Sequence, residues 1–206
     1  MKHDLKEATF IIPVRIESED RMRNVLTSIV FLLENFDTNI IIKEVDTNSV
    51  FEEDILPQLK EFYDDLSSLK HVFEKSEDPV FYRMHILNEM LAMTTTKVVV
   101  NCDCDILLPV ESYLESYRMI MDGEADVVYP YGNGNWQKQV FADDELVSEF
   151  LNSDCDFSIL ENKSNIWSSD FGWVQFFNRD VYYEGGMENE NFRGSSPEDK
   201  ERYFRF

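Results

Sequence analysis

The chain has 206 residues and carries 41 Asp and Glu against 19 Lys and Arg, a net charge of −22. Such a balance repels phosphate backbones and anionic lipid headgroups, and argues against nucleic acid as a partner. Hydrophobic residues at 43% and aromatic residues at 14% exclude a disordered chain, and the length suits one domain whose core needs no disulfide or metal staple.

The first expected strand is Ala8 to Val14, a continuous apolar run of the kind buried on both faces of a parallel sheet. Ser18 then reads as a helix cap, with Glu19 and Asp20 in the first turn and Met22, Val25, Leu26, Ile29 and Leu33 along one face. Asn39 to Val45 reads as a second strand, Phe51 to Leu66 as a helical stretch interrupted or started by Pro57, and Leu69 to Phe73 as a weak third strand. A helix from about Tyr82 to Met93 follows Pro79, and Lys97 to Cys102 is a central strand. Tyr113, Leu114, Tyr117, Ile120 and Met121 mark another amphipathic helix, and Asp126 to Tyr129 another strand. Beyond it lie Gly132-Asn133-Gly134-Asn135-Trp136, an acidic stretch from Asp143 to Glu149, a strand around Trp173 to Asn178, and a last helix near Pro197. Strands alternating with helices predict an α/β fold with a mostly parallel sheet. A less regular C-terminal lobe follows within the same domain, and no internal repeat is visible.

Cys102, Cys104 and Cys155 are too few, and odd in number, for a disulfide framework. The N-terminus lacks the apolar core of a signal peptide, and no run of about 18 apolar residues exists. A reduced, cytoplasmic protein without a transmembrane segment is expected.

Ligands of open α/β sheets bind beyond the carboxyl ends of the strands. There the strand Lys97 to Cys102 runs into Asp103-Cys104-Asp105, two carboxylates on alternate residues. Such a pair suits Mn²⁺ or Mg²⁺ shared with substrate phosphates, although in so acidic a chain many such pairs arise by chance. Glu44 and Asp46 end the second strand, where a loop would hold a sugar hydroxyl or a base edge. Arg83 and Asn88 read either as a solvated first turn or as a phosphate or ribose contact. Near the C-terminus, Ser196-Pro197-Glu198-Asp199 is an ordinary helix start, so Asp199 reads as a cap or as a base. His3, His71 and His85 have no companion at metal-ligand spacing, and Cys104 between two acids is a poor thiolate.

Taken in order, these segments resemble the GT-A glycosyltransferases, and are similar to glycosyltransferase family 2 and the β-1,4-galactosyltransferase-like enzymes. Pro13-Val14-Arg15 resembles the start of that family's nucleotide pocket, and Glu44-Val45-Asp46 its acidic contact near uracil or ribose. Arg83 with Leu87-Asn88 is similar to its R-x-x-x-L-N helix, and Asp103-Cys104-Asp105 to its D-x-D. Gly185-Gly186-Met187 through Glu190-Asn191-Phe192 resembles its G-G-F-D-E-x-F segment, and Glu198-Asp199 its E-D pair. Two departures stand out. Gly194-Ser195-Ser196-Pro197 replaces a Trp-Gly-rich stretch, and no His follows His85 to serve as a further metal ligand.

The resemblance implies a metal-dependent, inverting transfer of a sugar from a nucleotide diphosphate donor, UDP-linked by preference, to a saccharide or glycoconjugate hydroxyl, as in polysaccharide biosynthesis. Asp103 and Asp105 would hold the metal. Pro13, Arg15, Glu44, Asp46, Arg83, Asn88 and Asp103 would bind the donor. Asp199 would be the base, and Glu198, Glu190 and Trp173 would meet the acceptor. Residues 1–108 would form the nucleotide half and 109–206 the acceptor half. A non-catalytic sugar- or nucleotide-binding domain of a larger assembly is the alternative. A sugar nucleotidyltransferase fits less well, because Arg15-Ile16-Glu17-Ser18-Glu19-Asp20 stands where a Gly-rich basic loop would be needed.

Overall fold

The structure is a computed structural model that describes residues 2–132, 137–167, 171–194 and 197–206. Its centre is a six-stranded sheet. The strands are β1 (His3–Val14), β2 (Phe36–Asp46), β3 (Leu69–Lys75), β4 (Val98–Cys102), β5 (Val127–Val128) and β8 (Val174–Asn178), in the order β3-β2-β1-β4-β8-β5. The first four run parallel, whereas β8 lies antiparallel between β4 and β5. The mostly parallel sheet expected from the apolar runs is present. The reversed strand next to its β5 edge was invisible in the sequence, because an apolar run carries no direction.

Period-two alternation splits each central strand between two cores. Phe10, Ile12 and Val14, with Ile40, Ile42, Val98 and Val100, face one layer with α1 (Glu19–Asn35), α2 (Leu56–Phe62) and α4 (Val110–Met121). Ile11, Ile41, Val45, Val99 and Phe177 face the other, against α3 (Arg83–Ala92) and α7 (Arg179–Glu184). Burial on both faces is why these strands read as unbroken hydrophobic runs.

Several expected boundaries move. Ser18 caps α1 as expected, its hydroxyl accepting from the Arg21 N–H at 3.2 Å. The stretch after residue 50 is a π-helical turn, Phe51–Ile55, leading into α2 with Pro57 in its first turn. The acidic stretch 143–149 forms most of α5 (Asp144–Asn152), because Asp143 caps it and Leu146 and Phe150 are buried at i, i+4 spacing. A short helix, α6 (Ser158–Glu161), and a two-stranded sheet of β6 (Lys138–Val140) and β7 (Ser164–Ile166) had not been expected. The last helix, α8, spans Glu198–Arg205 with Pro197 at its cap position. Ser196 lies outside the described residues, as does most of the Gly132–Trp136 segment. No helix among the described residues is long and apolar enough to cross a membrane.

Candidate active site

The carboxyl ends of β1, β2 and β4 meet at one edge of the sheet, and the chain places Pro13, Arg15, Asp46 and Asp103 there. Pro13 is buried within β1, opposite Lys43. Arg15 ties the edge together, donating from Nε to the Val45 carbonyl at 2.9 Å and from Nη1 to the Pro79 carbonyl at 3.2 Å, over the Phe81 ring. Its buried Nη2 has no partner among the described residues. Asp46 turns back on its own loop, accepting from the Thr47 N–H at 2.7 Å.

Asp103 follows β4 directly, and its N–H donates to the Trp173 carbonyl at 2.9 Å, joining the start of β8 to the end of β4. Arg83, in the first turn of α3, donates from Nη2 to Asp103 Oδ1 at 2.5 Å, while its Nη1 stands 4.0 Å from Asp199 Oδ1. One guanidinium therefore stands between the D-x-D segment and the expected base. Asp105 is exposed, yet the protein crowded around its carboxyl, and the neighbouring Asp103 charge, push its pKa up. A cavity of about 790 Å³ opens here, lined by Asp103, Asp105, Tyr131 and Trp173 and by Asn24 and Thr27 of α1. Tyr131 and Trp173 have ring centroids 5.2 Å apart, giving the cavity an aromatic wall suited to a sugar face.

Two carboxylates at the cavity, Asp103 just past β4 and Asp105 in the turn that follows, fit an oxygen-preferring divalent ion that takes its other ligands from phosphate oxygens and water. They do not make an all-protein cage. No group of three His, Cys, Asp or Glu side chains with metal-binding potential exists among the described residues. Burial and the acids around them push the Cys102 and Cys104 thiols up, Cys104 to about 12.

Asp199 lies in the first turn of α8, and Arg202 one turn on donates from Nη1 to its Oδ1 at 2.6 Å. Its other oxygen packs on Gly172, where an added Cβ would lie 2.6 Å from Oδ2; Gly172 also has φ +99°. Arg202 is wholly buried and grips Glu188 with Nε at 2.6 Å and Nη2 at 2.7 Å. Glu188 also accepts from the Tyr182 hydroxyl, which in turn accepts from Asn101 Nδ2 at 2.7 Å. Arg202, Gly172 and Tyr131 were missed in the sequence. Arg202 alone carried a signal, the i, i+3 spacing from Asp199 on a helix.

Other expected contacts are spent elsewhere. Glu44 is fully buried on β2, where its carboxylate accepts from the Ser49 hydroxyl at 2.6 Å and the Phe51 N–H at 3.2 Å, with His71 Nε2 at 3.2 Å. It caps the turn after β2, its carboxylate bonded within the chain. Asn88 likewise binds the chain itself. Its Oδ1 accepts from the Glu188 N–H at 2.8 Å, and its Nδ2 donates to the Glu188 carbonyl and to Glu190. Glu190 is held by Asn88 and His85, which lower its pKa, on the α3 side of the molecule. Glu198 is 5% exposed and faces protein rather than an open acceptor cleft.

The role of Glu44 gives an expected result. Burial opposes its charge, but His71, Ser49 and the Phe51 N–H prevail and hold its pKa below the usual carboxylate range. A depressed folded pKa means that the stabilisation is present above about pH 4.3 and is lost as pH falls through the folded value. Glu44→Ala is expected to cost about 2–3 kcal/mol in urea unfolding at pH 7, less near pH 3, with UDP binding unchanged. Weaker UDP binding in a stably folded variant would return Glu44 to the nucleotide pocket.

No protein-family model and no curated protein matches the sequence. Solved structures do. A mannosyltransferase from Pyrobaculum calidifontis, solved with GDP-Man and Mn²⁺, has a TM-score of 0.56 at 16% identity, over 94% of this chain and 49% of its own. GalNAc-T7, solved with UDP, GalNAc and Mn²⁺, has a TM-score of 0.58 at 14% identity, over 96% and 40%. TarS from S. aureus has 0.53 at 15%, over 97% and 32%. The chain thus spans about a third to a half of the length of these structures. With β8 set antiparallel into an otherwise parallel sheet, and the D-x-D segment at the end of β4, the fold of this chain is the GT-A fold of those glycosyltransferases.

Proposed function

We propose that the protein is a metal-dependent, inverting glycosyltransferase that moves a sugar from a nucleotide diphosphate donor, UDP-linked by preference, to a hydroxyl of a saccharide or glycoconjugate. The observation that carries this reading is the meeting of Asp103, Arg83 and Asp199 at the strand ends of a GT-A sheet, beside a cavity of about 790 Å³. Residues 1–108 serve the donor and 109–206 the acceptor.

Asp103 and Asp105 would hold Mn²⁺ or Mg²⁺, which when bound would supply positive charge to offset that of the departing diphosphate. Arg83 adds a second cation there, in a chain otherwise dominated by acids. Asp199 accepts the proton of the acceptor hydroxyl as that oxygen bonds to the anomeric carbon. The electron pair of the breaking bond between that carbon and the phosphate oxygen leaves with the nucleotide diphosphate. A single displacement inverts the carbon.

A binding domain without turnover is the second reading, favoured by one observation: Arg83 already occupies Asp103. A panel of nucleotide sugars with Mn²⁺ and mixed saccharide acceptors, read by nucleotide release, separates the two. Release that depends on both acceptor and metal is expected. Donor binding without release from any member of the panel would establish the binding domain.

A further inference from the structure

We infer that Arg202 is the positioning residue of the site, holding Asp199 by Oδ1 so that Oδ2 is the oxygen that takes the proton. This rests on Asp199 being the base. The two oxygens of Asp199 have different surroundings. Oδ1 accepts from Arg202 at 2.6 Å and lies 4.0 Å from Arg83, so this oxygen is already engaged. Oδ2 lies against Gly172, at a place a Cβ would fill. Gly172 is the residue before Trp173, whose ring lines the cavity. Among the described residues Oδ2 has no hydrogen-bond partner, and it lies against the residue that precedes the cavity-lining Trp173.

Arg202 is itself immobilised before it touches Asp199. Its Nε and Nη2 form a two-pronged pair with Glu188, and both side chains are almost completely buried. Glu188 is fixed in turn from three elements. Asn88 of α3 binds its backbone, Asn101 of β4 donates at 3.3 Å, and Tyr182 of α7 donates its hydroxyl. The guanidinium is therefore aimed by the sheet and two helices rather than by α8 alone. The fork to Glu188 already satisfies one edge of the guanidinium, and a buried ion pair is seldom worth more than apolar packing of the same volume. The third bond, from Nη1 to Asp199, satisfies a buried donor and at the same time sets where that carboxylate points. A planar cation rooted in the core fixes a carboxylate on a surface helix to within the tolerance that proton transfer demands.

Three variants test this, with thermal unfolding, UDP affinity in Mn²⁺, and kcat on the donor and acceptor found by nucleotide release. Arg202→Lys keeps the charge and loses the fork. It is expected to leave UDP affinity and donor KM unchanged while kcat falls roughly 10²-fold. Should that variant fail to fold, the pair Glu188→Gln with Arg202→Met removes both buried charges at similar volume, and the same loss in kcat is expected. Gly172→Ala puts a methyl group on Oδ2 with Arg202 intact, and is expected to lower kcat in the same way. Wild-type kcat in a folded Arg202 variant overturns the inference, as does a parallel loss of stability, UDP affinity and kcat. If Asp199→Asn transfers sugar normally, the base assignment fails instead. If Asp199→Asn is inactive while Arg202→Lys is fully active, only the positioning role fails.

Discussion

Asp199→Asn is expected to lower sugar transfer by roughly 10²- to 10⁴-fold and to leave the fold and metal-dependent UDP binding as they are. Asparagine keeps the shape and an acceptor oxygen for Arg202, so the bond at 2.6 Å can persist. What it lacks is the capacity to take a proton. The loss belongs in kcat rather than in donor affinity, because the proton moves only in the transition state. A helix-capping role makes the opposite forecast, since Asn caps as well as Asp. The structure weakens the capping alternative: Asp199 lies inside the first turn of α8, with Arg202 and Gly172 as its neighbours. Near-normal transfer by the Asn variant, measured at saturating donor, would end its candidacy as the base.

Removing the metal or Asp105 is expected to have the next largest effect. Without a divalent ion, Asp103 and Asp105 would meet the diphosphate as like charges, in a chain of net charge −22. Chelation is expected to weaken UDP binding by about 1.5–3 kcal/mol, roughly ten- to a hundredfold in Kd. Asp105→Ala measured with Mn²⁺ present should reproduce the chelated value, because Asp103 is left with Arg83 as its principal partner. Calorimetric titration of UDP with Mn²⁺ and with chelator checks both. Equal affinities in the two conditions would remove the metal from the site.

The fold of the first four strands was legible because its signals are local. Ile40-Ile41-Ile42 and Val98-Val99-Val100 can only be buried strands, and Ser18 with Met22, Val25 and Ile29 can only begin a helix on them. The D-x-D was legible because a strand ends at it. The destinations of Asn88 and Glu44 were not. Asn88 finds its partners at Glu188 and Glu190, on a segment about a hundred residues further along the chain. Glu44 is consumed by Ser49, Phe51 and His71, and a carboxylate at a strand end reads the same whether it faces a ligand or the next turn. Arg202 was overlooked for a related reason. A charged residue on a terminal helix is ordinarily solvated, and only the three-dimensional approach of Glu188 makes it part of the core.

The reversed strand β8 also constrains how the chain is made. Its partners Val98 to Cys102 leave the ribosome some seventy residues before Val174 to Asn178 do. Through that interval β1, β2, β3 and β4 can already assemble, because their contacts are with one another and with the helices between them. The outer edge of β4 then carries unpaired amides beside Val98, Val99 and Val100, an apolar edge of the kind that joins neighbouring chains. Nascent chains paused or cleaved before residue 174 are thus the species most prone to aggregate, and completion of β8 both shields that edge and draws Trp173 against Asp103. Completion of the edge that carries Asp103 and protection from self-association are one event in the synthesis of this protein.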